Sequence, residues 1–173
     1  MITVTPRSAP LPHEPRATAL RLRPAREEDA AALAGLARPF VRSGALRERP
    51  LALYAARAAD FLVAEGPGGS LEGCVGLRVY PAEAGEGRGP AGVLYNFCVA
   101  GHRQGYGVGA GLLRAALARA RARSLGALFT ATTGDGGLFL RYGFTPAAAR
   151  PAPRQWVQSL DPRRNALVLA LTC

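Results

Sequence analysis

No lysine occurs in the 173 residues; all 22 cationic Lys/Arg positions are arginine. Without lysine there is no Gly-Lys-Ser/Thr loop, which excludes a P-loop nucleotidase. Histidine is nearly as scarce, with only His13 and His102 far apart in the chain. The cysteines Cys74, Cys98 and Cys173 contain no C-x-x-C pair. Neither residue type offers a cluster with ligand spacing, so no metal site is expected. An odd cysteine count and the lack of a signal peptide point to a reducing, cytoplasmic setting. No apolar run approaches membrane-spanning length, and no internal repeat is present.

The formal charge of +10 permits an anionic partner,. The arginines are scattered along the chain, which reads as a solvated basic surface with no nucleic-acid face and no membrane face. Such a surface suits small anionic ligands. A length of 173 residues with 49% hydrophobic content describes one domain able to bury its own core,. Residues 1–18 carry Pro6, Pro10, Pro12 and Pro15 and read as a flexible tail ahead of a domain spanning 19–173,.

Taken in order, Ala19–Arg23 alternates as a first strand, ended by Pro24. Glu27, Glu28 and Asp29 enrich a helix start, and Ala32, Leu33, Leu36 and Ala37 form its apolar stripe. Pro39–Gly44 breaks that helix, and a second follows over Leu51–Ala59. Phe61–Glu65 and Leu71–Tyr80 form a hairpin across Gly66-Pro67-Gly68-Gly69. Pro81–Gly92 is a mobile loop. After a strand at Leu94–Val99, the spacing of Leu112, Leu113, Ala116, Leu117 and Ala120 predicts a helix to Ser124, with Gly126 as its cap. Ala127–Thr133 is a strand, Gly134–Gly137 a turn and Leu138–Tyr142 a short helix capped by Gly143. A segment Arg154–Leu160 and a last strand Asn165–Leu171 complete the chain. Trp156 belongs to the core or to a lid.

The informative stretch is Asn96–Gly109, in the order strand, glycine-rich turn, helix. Such a loop turns backbone N–H groups toward one point at the positive end of a helix, an anion site suited to phosphates. A dinucleotide fingerprint fits poorly. Gly105-x-Gly107 is followed three residues on by Ala110, and the first acid beyond the loop is Asp135, too far to hold a ribose in the usual way,.

Gln104-x-x-Gly107-x-Gly109, preceded by Arg103 and Phe97-Cys98-Val99, resembles the Q/R-x-x-G-x-G/A motif of the GNAT acetyltransferases. Leu138-Phe139-Leu140-Arg141-Tyr142-Gly143-Phe144 is similar to a second segment of that family, about 30 residues further on,. The resemblance implies an α/β (α+β) fold: a mixed central sheet of about six or seven strands with about four helices, and central strands splayed at an acetyl-CoA site. It implies acetyl-CoA as co-substrate, held by Phe97, Cys98, Val99, Arg103, Gln104, Gly105, Tyr106, Gly107, Val108, Gly109, Phe139 and Tyr142, with no metal.

A narrower resemblance is to the acetyltransferase domain of N-acetylglutamate synthases. It is carried by Pro39–Arg49 followed by Phe61–Glu65, by Gly143–Pro146 and by Leu160–Leu169. It implies N-acetylation of an amino acid, L-glutamate first, in arginine biosynthesis. Arg49 and Arg163 then fall where the family places carboxylate-binding arginines, and Asn165 where a serine often contacts substrate; a homodimer is also implied. Arginine forks suit carboxylates, which is consistent with that chemistry. Tyr95 and Asn96 are the candidate catalytic residues, and strand alternation predicts that one of them faces the cleft. The chain departs from the family at Val93, where a glutamate base is common, at Gly134, where the synthases have an arginine, and at Phe139, where many members have a tyrosine acid. The alternatives are another acceptor (a different amino acid, an antibiotic or a protein N-terminus) and a non-catalytic acetyl-CoA-binding module. Cys98 on this strand reads as packing rather than as a nucleophile.

Overall fold

The computed structural model describes residues 20–82, 89–147 and 152–171. The expected tail at 1–18 and residues 83–88 of the expected mobile loop lie outside the described residues. Seven strands form one sheet: β1 (Arg21–Pro24), β2 (Phe61–Glu65), β3 (Leu71–Tyr80), β4 (Ala91–Val99), β5 (Ala127–Thr132), β6 (Thr145–Pro146) and β7 (Asn165–Ala170). Their spatial order is β1-β2-β3-β4-β5-β7-β6. All neighbours are antiparallel except β4 and β5. A parallel pair needs a crossover, and here the helix α3 (Val108–Ala122) supplies it. The other helices are α1 (Ala30–Arg42), α2 (Leu51–Ala56), α4 (Gly137–Arg141) and α5 (Arg154–Gln158).

Alternation along the strands divides the core between the two faces. Leu62 and Ala64 of β2 join Leu112, Leu113 and Ala116 of α3. Phe61 and Val63 join Leu33 and Ala37 of α1 on the other face. A third cluster holds Val93, Phe129 and Trp156, with the last two rings 5.7 Å apart. Trp156 is therefore core. At the sheet edge, Arg23 bridges Asp29 at 2.7 Å and Glu65 at 3.0 Å, joining β1 and β2 to the start of α1. The paired arginine holds the Asp29 carboxyl below its usual range.

Three expectations are corrected. Pro39 does not end α1, which continues to Arg42. Proline costs its own N–H bond and crowds the preceding turn, yet the helix runs three residues past it, and Gly44, at φ +77°, makes the stop,. Leu51–Ala59 is not one helix, since α2 ends at Ala56 and a 3-10 turn occupies Ala58–Asp60. Gly126 does not cap α3. The left-handed position falls on Ser124 (φ 53°), and Leu125 returns its N–H to Ala120 while burying its side chain. β6 was not anticipated from the sequence; two residues carry too little pattern to mark a strand.

Candidate active site

β4 and β5 pair only over Ala91–Val93 and Ala127–Phe129. Beyond that point they separate, and the β5-facing edge of β4 has no partner in that strand's register. Thr130 stands at the fork and donates its hydroxyl to the Leu94 carbonyl at 3.4 Å. A cavity of about 400 Å³ opens beside this split. Its walls come from β4 (Val93 to Phe97), β5 and the residues after it (Thr130 to Thr133), the α1–α2 loop, and the segment from α5 to β7.

The glycine-rich loop lies at the end of β4. Gly105 and Gly107 have φ of +82° and +81°, and nothing lies within 4 Å of where a Cβ would stand on either. Gly107 is also the residue that opens α3. The loop is held from below. Gln104 Nε2 donates to the Val99 carbonyl at 3.1 Å. The buried Glu72 carboxylate lies 2.6 Å from His102 Nε2 and 3.7 Å from Arg103 Nε, and the Glu72 carbonyl accepts from the Ala100 N–H at 2.8 Å. Strand pairing brings Glu72 under the loop, a placement that nothing in its local sequence marks. Backbone donors, left-handed glycines with open space and a long helix start together fit a pyrophosphate-bearing ligand.

Of the other residues expected at this ligand, Phe97 lines the cavity and packs edge-on against Phe139, centroids 5.6 Å apart. Val108 is buried as the first residue of α3, and Gly109 lies against Phe97 and Leu138. Tyr106 is 79% exposed. The Tyr142 hydroxyl accepts from Arg114 at 2.9 Å. Cys98 faces away from the cavity, with its sulfur 3.6 Å from Cys74 Sγ in the core under α1. Its neighbour's thiol is pushed well up by that contact and by burial.

Strand alternation does not separate Tyr95 from Asn96. Asn96 has φ 50°, and a bulge places Asn96 and Phe97 opposite the single residue Val75,. Both Tyr95 and Asn96 consequently line the cavity. The Asn96 side chain is buried, with its Oδ1 accepting from the Tyr54 hydroxyl at 3.4 Å. The Tyr95 hydroxyl donates to Asp60 Oδ2 at 3.0 Å, and burial beside Asp60 pushes its acidity far down. Val93 and Phe139 both line the cavity, so neither departure is offset by a family-type side chain at its own position.

The cavity is strongly cationic. Arg47, Arg49, Arg57, Arg78 and Arg164 contribute to its walls, against the carboxylate of Asp161. Arg49 is half-buried, its Nε is sealed from solvent without a hydrogen-bond partner, and burial lowers its pKa. Arg163 is elsewhere. It is exposed, and it clasps Asp161 through its backbone N–H (3.0 Å) and its guanidinium (2.8 Å). That pairing draws the Asp161 carboxyl down to about 2, making it a poor proton acceptor. Arg164, the next residue, is the one directed at the cavity. Asn165 is exposed at the start of β7, opposite Thr132. The doublet Arg163-Arg164 was visible in sequence, but which member turns inward depends on the Asp161 turn.

Among the described residues no cluster of His, Cys, Asp or Glu could hold a metal ion, and no helix is long and apolar enough to cross a membrane. The family profile of the acetyltransferase (GNAT) domain matches residues 57–146, more than half of the chain. An amino-acid acetyltransferase of Ralstonia nicotianae is 33% identical over 148 residues, covering 86% of this chain and 31% of that protein. Among solved structures, an N-acetylglutamate synthase from Neisseria gonorrhoeae, complexed with coenzyme A and N-acetyl-glutamate, superposes with a TM-score of 0.78. It shares 26% identity over 91% of this chain and 36% of that one. Rv2747 from Mycobacterium tuberculosis, in complex with CoA and NLQ, shares the fold at TM-score 0.73 and 23% identity, over 88% of this chain and 99% of that one. The chain thus spans about a third of the length of the Ralstonia and Neisseria proteins.

Proposed function

The chain belongs to the GNAT acetyltransferase family, and from that premise we propose that it acetylates the α-amino group of an acidic amino acid, L-glutamate first, using acetyl-CoA. The observation that carries the substrate class is Arg49, half-buried in the cavity wall with no acid paired to its guanidinium among the described residues. A partly desolvated cation without a counter-ion is costly, and a ligand carboxylate in the cavity, reaching the terminal guanidinium nitrogens, supplies the missing partner. Arg164 lines the same cavity and gives a second carboxylate contact.

The loop Gln104–Gly109 and the start of α3 would hold the pyrophosphate, and the free edge of β4 beyond Val93 would take the pantetheine arm. Acetyl-CoA supplies an activated acetyl group, and attack by the amine releases CoA as a thiol. The chain's contribution is placement. The arginines hold the acceptor's carboxylates, which directs its amine toward the split between β4 and β5. Backbone N–H groups of β4 near Cys98–Val99 stabilise the developing oxyanion. With Val93 at the usual base position and Asp161 tied to Arg163, the amine arrives neutral or gives its proton to water.

A second reading, another amine as acceptor, is favoured by one observation: Arg163 is engaged with Asp161 and exposed. Thiol release from acetyl-CoA across a panel of free amino acids and simple amines decides between the two. Release with glutamate and not with glutamine or carboxylate-free amines is the expected result. Release with another amine alone moves the acceptor, and no release with any amine refutes acetyl transfer.

A further inference from the structure

Among the described residues no acid holds Arg49. It is held by a ring. Its Cζ lies 5.1 Å from the centroid of Tyr95. The Tyr95 ring is in turn fixed from several sides. A Cβ on residue 76 would stand 2.7 Å from ring atoms Cε1 and Cζ, so the ring occupies space that only glycine leaves on β3. Phe61 meets the ring edge-on at 5.2 Å. The hydroxyl is tied to Asp60 at 3.0 Å. The Asp60 main-chain carbonyl is itself held by Arg119 of α3, so the 3-10 turn carrying Asp60 is braced from beneath the sheet.

We infer that Tyr95 is a positioning residue for acceptor recognition: seated on Gly76 and tied to Asp60, its ring holds the Arg49 guanidinium by its face. This rests on the carboxylate-binding role of Arg49 proposed above. A cation attracted to the face of a ring spends none of its N–H donors on a carboxylate, so they stay available to a second partner. A salt bridge would instead consume those donors. The ring thus orients the cation without neutralising it, and the planar edge of Arg49 selects a planar carboxylate. A lysine in place of Arg49 has no planar face to stack and no fork to present. Tyr95 acts through Arg49, which separates its role from that of a proton carrier.

The test uses glutarate, the carbon skeleton of glutamate without its amine, titrated calorimetrically into the full chain. Thermal melts check the folding of each variant. Tyr95→Leu is expected to weaken glutarate binding by roughly tenfold to thirtyfold, the range of a desolvated cation–π contact. Tyr95→Phe, which keeps the ring and loses the tie to Asp60, is expected to weaken it by less. Gly76→Ala, which displaces the ring, is expected to resemble Tyr95→Leu; if it fails to fold, Tyr95→Leu carries the test. Arg49→Lys is expected to bind no better than Arg49→Gln, and Tyr95→Leu combined with Arg49→Gln no worse than Arg49→Gln alone. Acetyl-CoA affinity is expected to be unchanged throughout. Wild-type glutarate binding that is absent, that is unaffected by Tyr95→Leu, or that loses the full product of both single effects in the double variant would overturn the inference. Thiol release is measured on the same samples. The expected glutarate pattern without release on any amine sinks the acetyl-transfer reading and leaves the role of Tyr95 standing. Release on glutamate with a flat glutarate pattern does the reverse.

Discussion

The Thr130 hydroxyl donates to the carbonyl of Leu94 at the point where their two strands cease to pair. That carbonyl has lost its β-ladder partner, and the threonine restores one without closing the gap. Thr130 is 3% exposed, so water cannot readily take over. Thr130→Val keeps the shape and removes the donor. The expected cost is about 1 kcal/mol, read as a melting temperature lower by about 2–4 °C. Turnover is expected to fall with it, because the free edge of β4 is no longer fixed. A variant with wild-type stability and wild-type turnover would show that the fork is held by other means.

Gly107 is the hinge between loop and helix, at φ +81° with open space around a would-be Cβ. Gly107→Ala therefore meets no clash, only left-handed strain of about 1–2 kcal/mol. The expected outcome is a modest stability loss with a clear rise in the KM for acetyl-CoA, while the KM for the amine is unchanged. Steady-state kinetics with each substrate varied in turn would check this, and a rise confined to the amine would place the anion site elsewhere.

The arginine doublet gives opposite expectations for neighbours. Arg163 is exposed and spent on Asp161, whereas Arg164 lines the cavity. Arg163→Gln is expected to leave the KM for the amino acid within about twofold, as is usual for an exposed pair. Arg164→Gln is expected to raise it by the equivalent of one charge-assisted hydrogen bond, about 1.5–3 kcal/mol. Kinetics of the two variants side by side would test the assignment; the reverse order would restore Arg163 as the substrate contact.

Acid should loosen the β1 edge first. Arg23 holds the Asp29 and Glu65 carboxyls below their ordinary values of 3.8 and 4.5. A depressed carboxyl stabilises the fold above its unfolded value, and that stabilisation is lost as pH falls through the folded value. Wild type is therefore expected to lose stability as pH drops below about 5. Arg23→Gln is expected to be about 2 kcal/mol less stable at pH 7, with the gap narrowing as pH falls below the ordinary carboxyl range. Urea denaturation across pH 3–7 would measure both curves, and parallel curves would remove Arg23 as the cause.

What is local and periodic was legible in the chain's residue pattern. β2 and β3 have the bounds their alternation and flanking glycines predict, Phe61–Glu65 and Leu71–Tyr80. The α3 residues Leu112, Leu113, Ala116, Leu117 and Ala120 are all buried as their spacing requires. The loop from Gln104 to Gly109 is legible because its left-handed turns need glycine at particular positions. Tertiary structure decided what depends on pairing across the chain. The direction of Asn96 follows from a bulge against β3, which no single strand's pattern reveals. The choice of Arg164 over Arg163 follows from where the Asp161 turn delivers β7. Arg49 finds Tyr95 from 46 positions away because β3 offers a glycine beneath the ring. Residue types announce which chemistry is available, but a charge becomes part of a site only when packing fixes its direction and withholds its counter-ion.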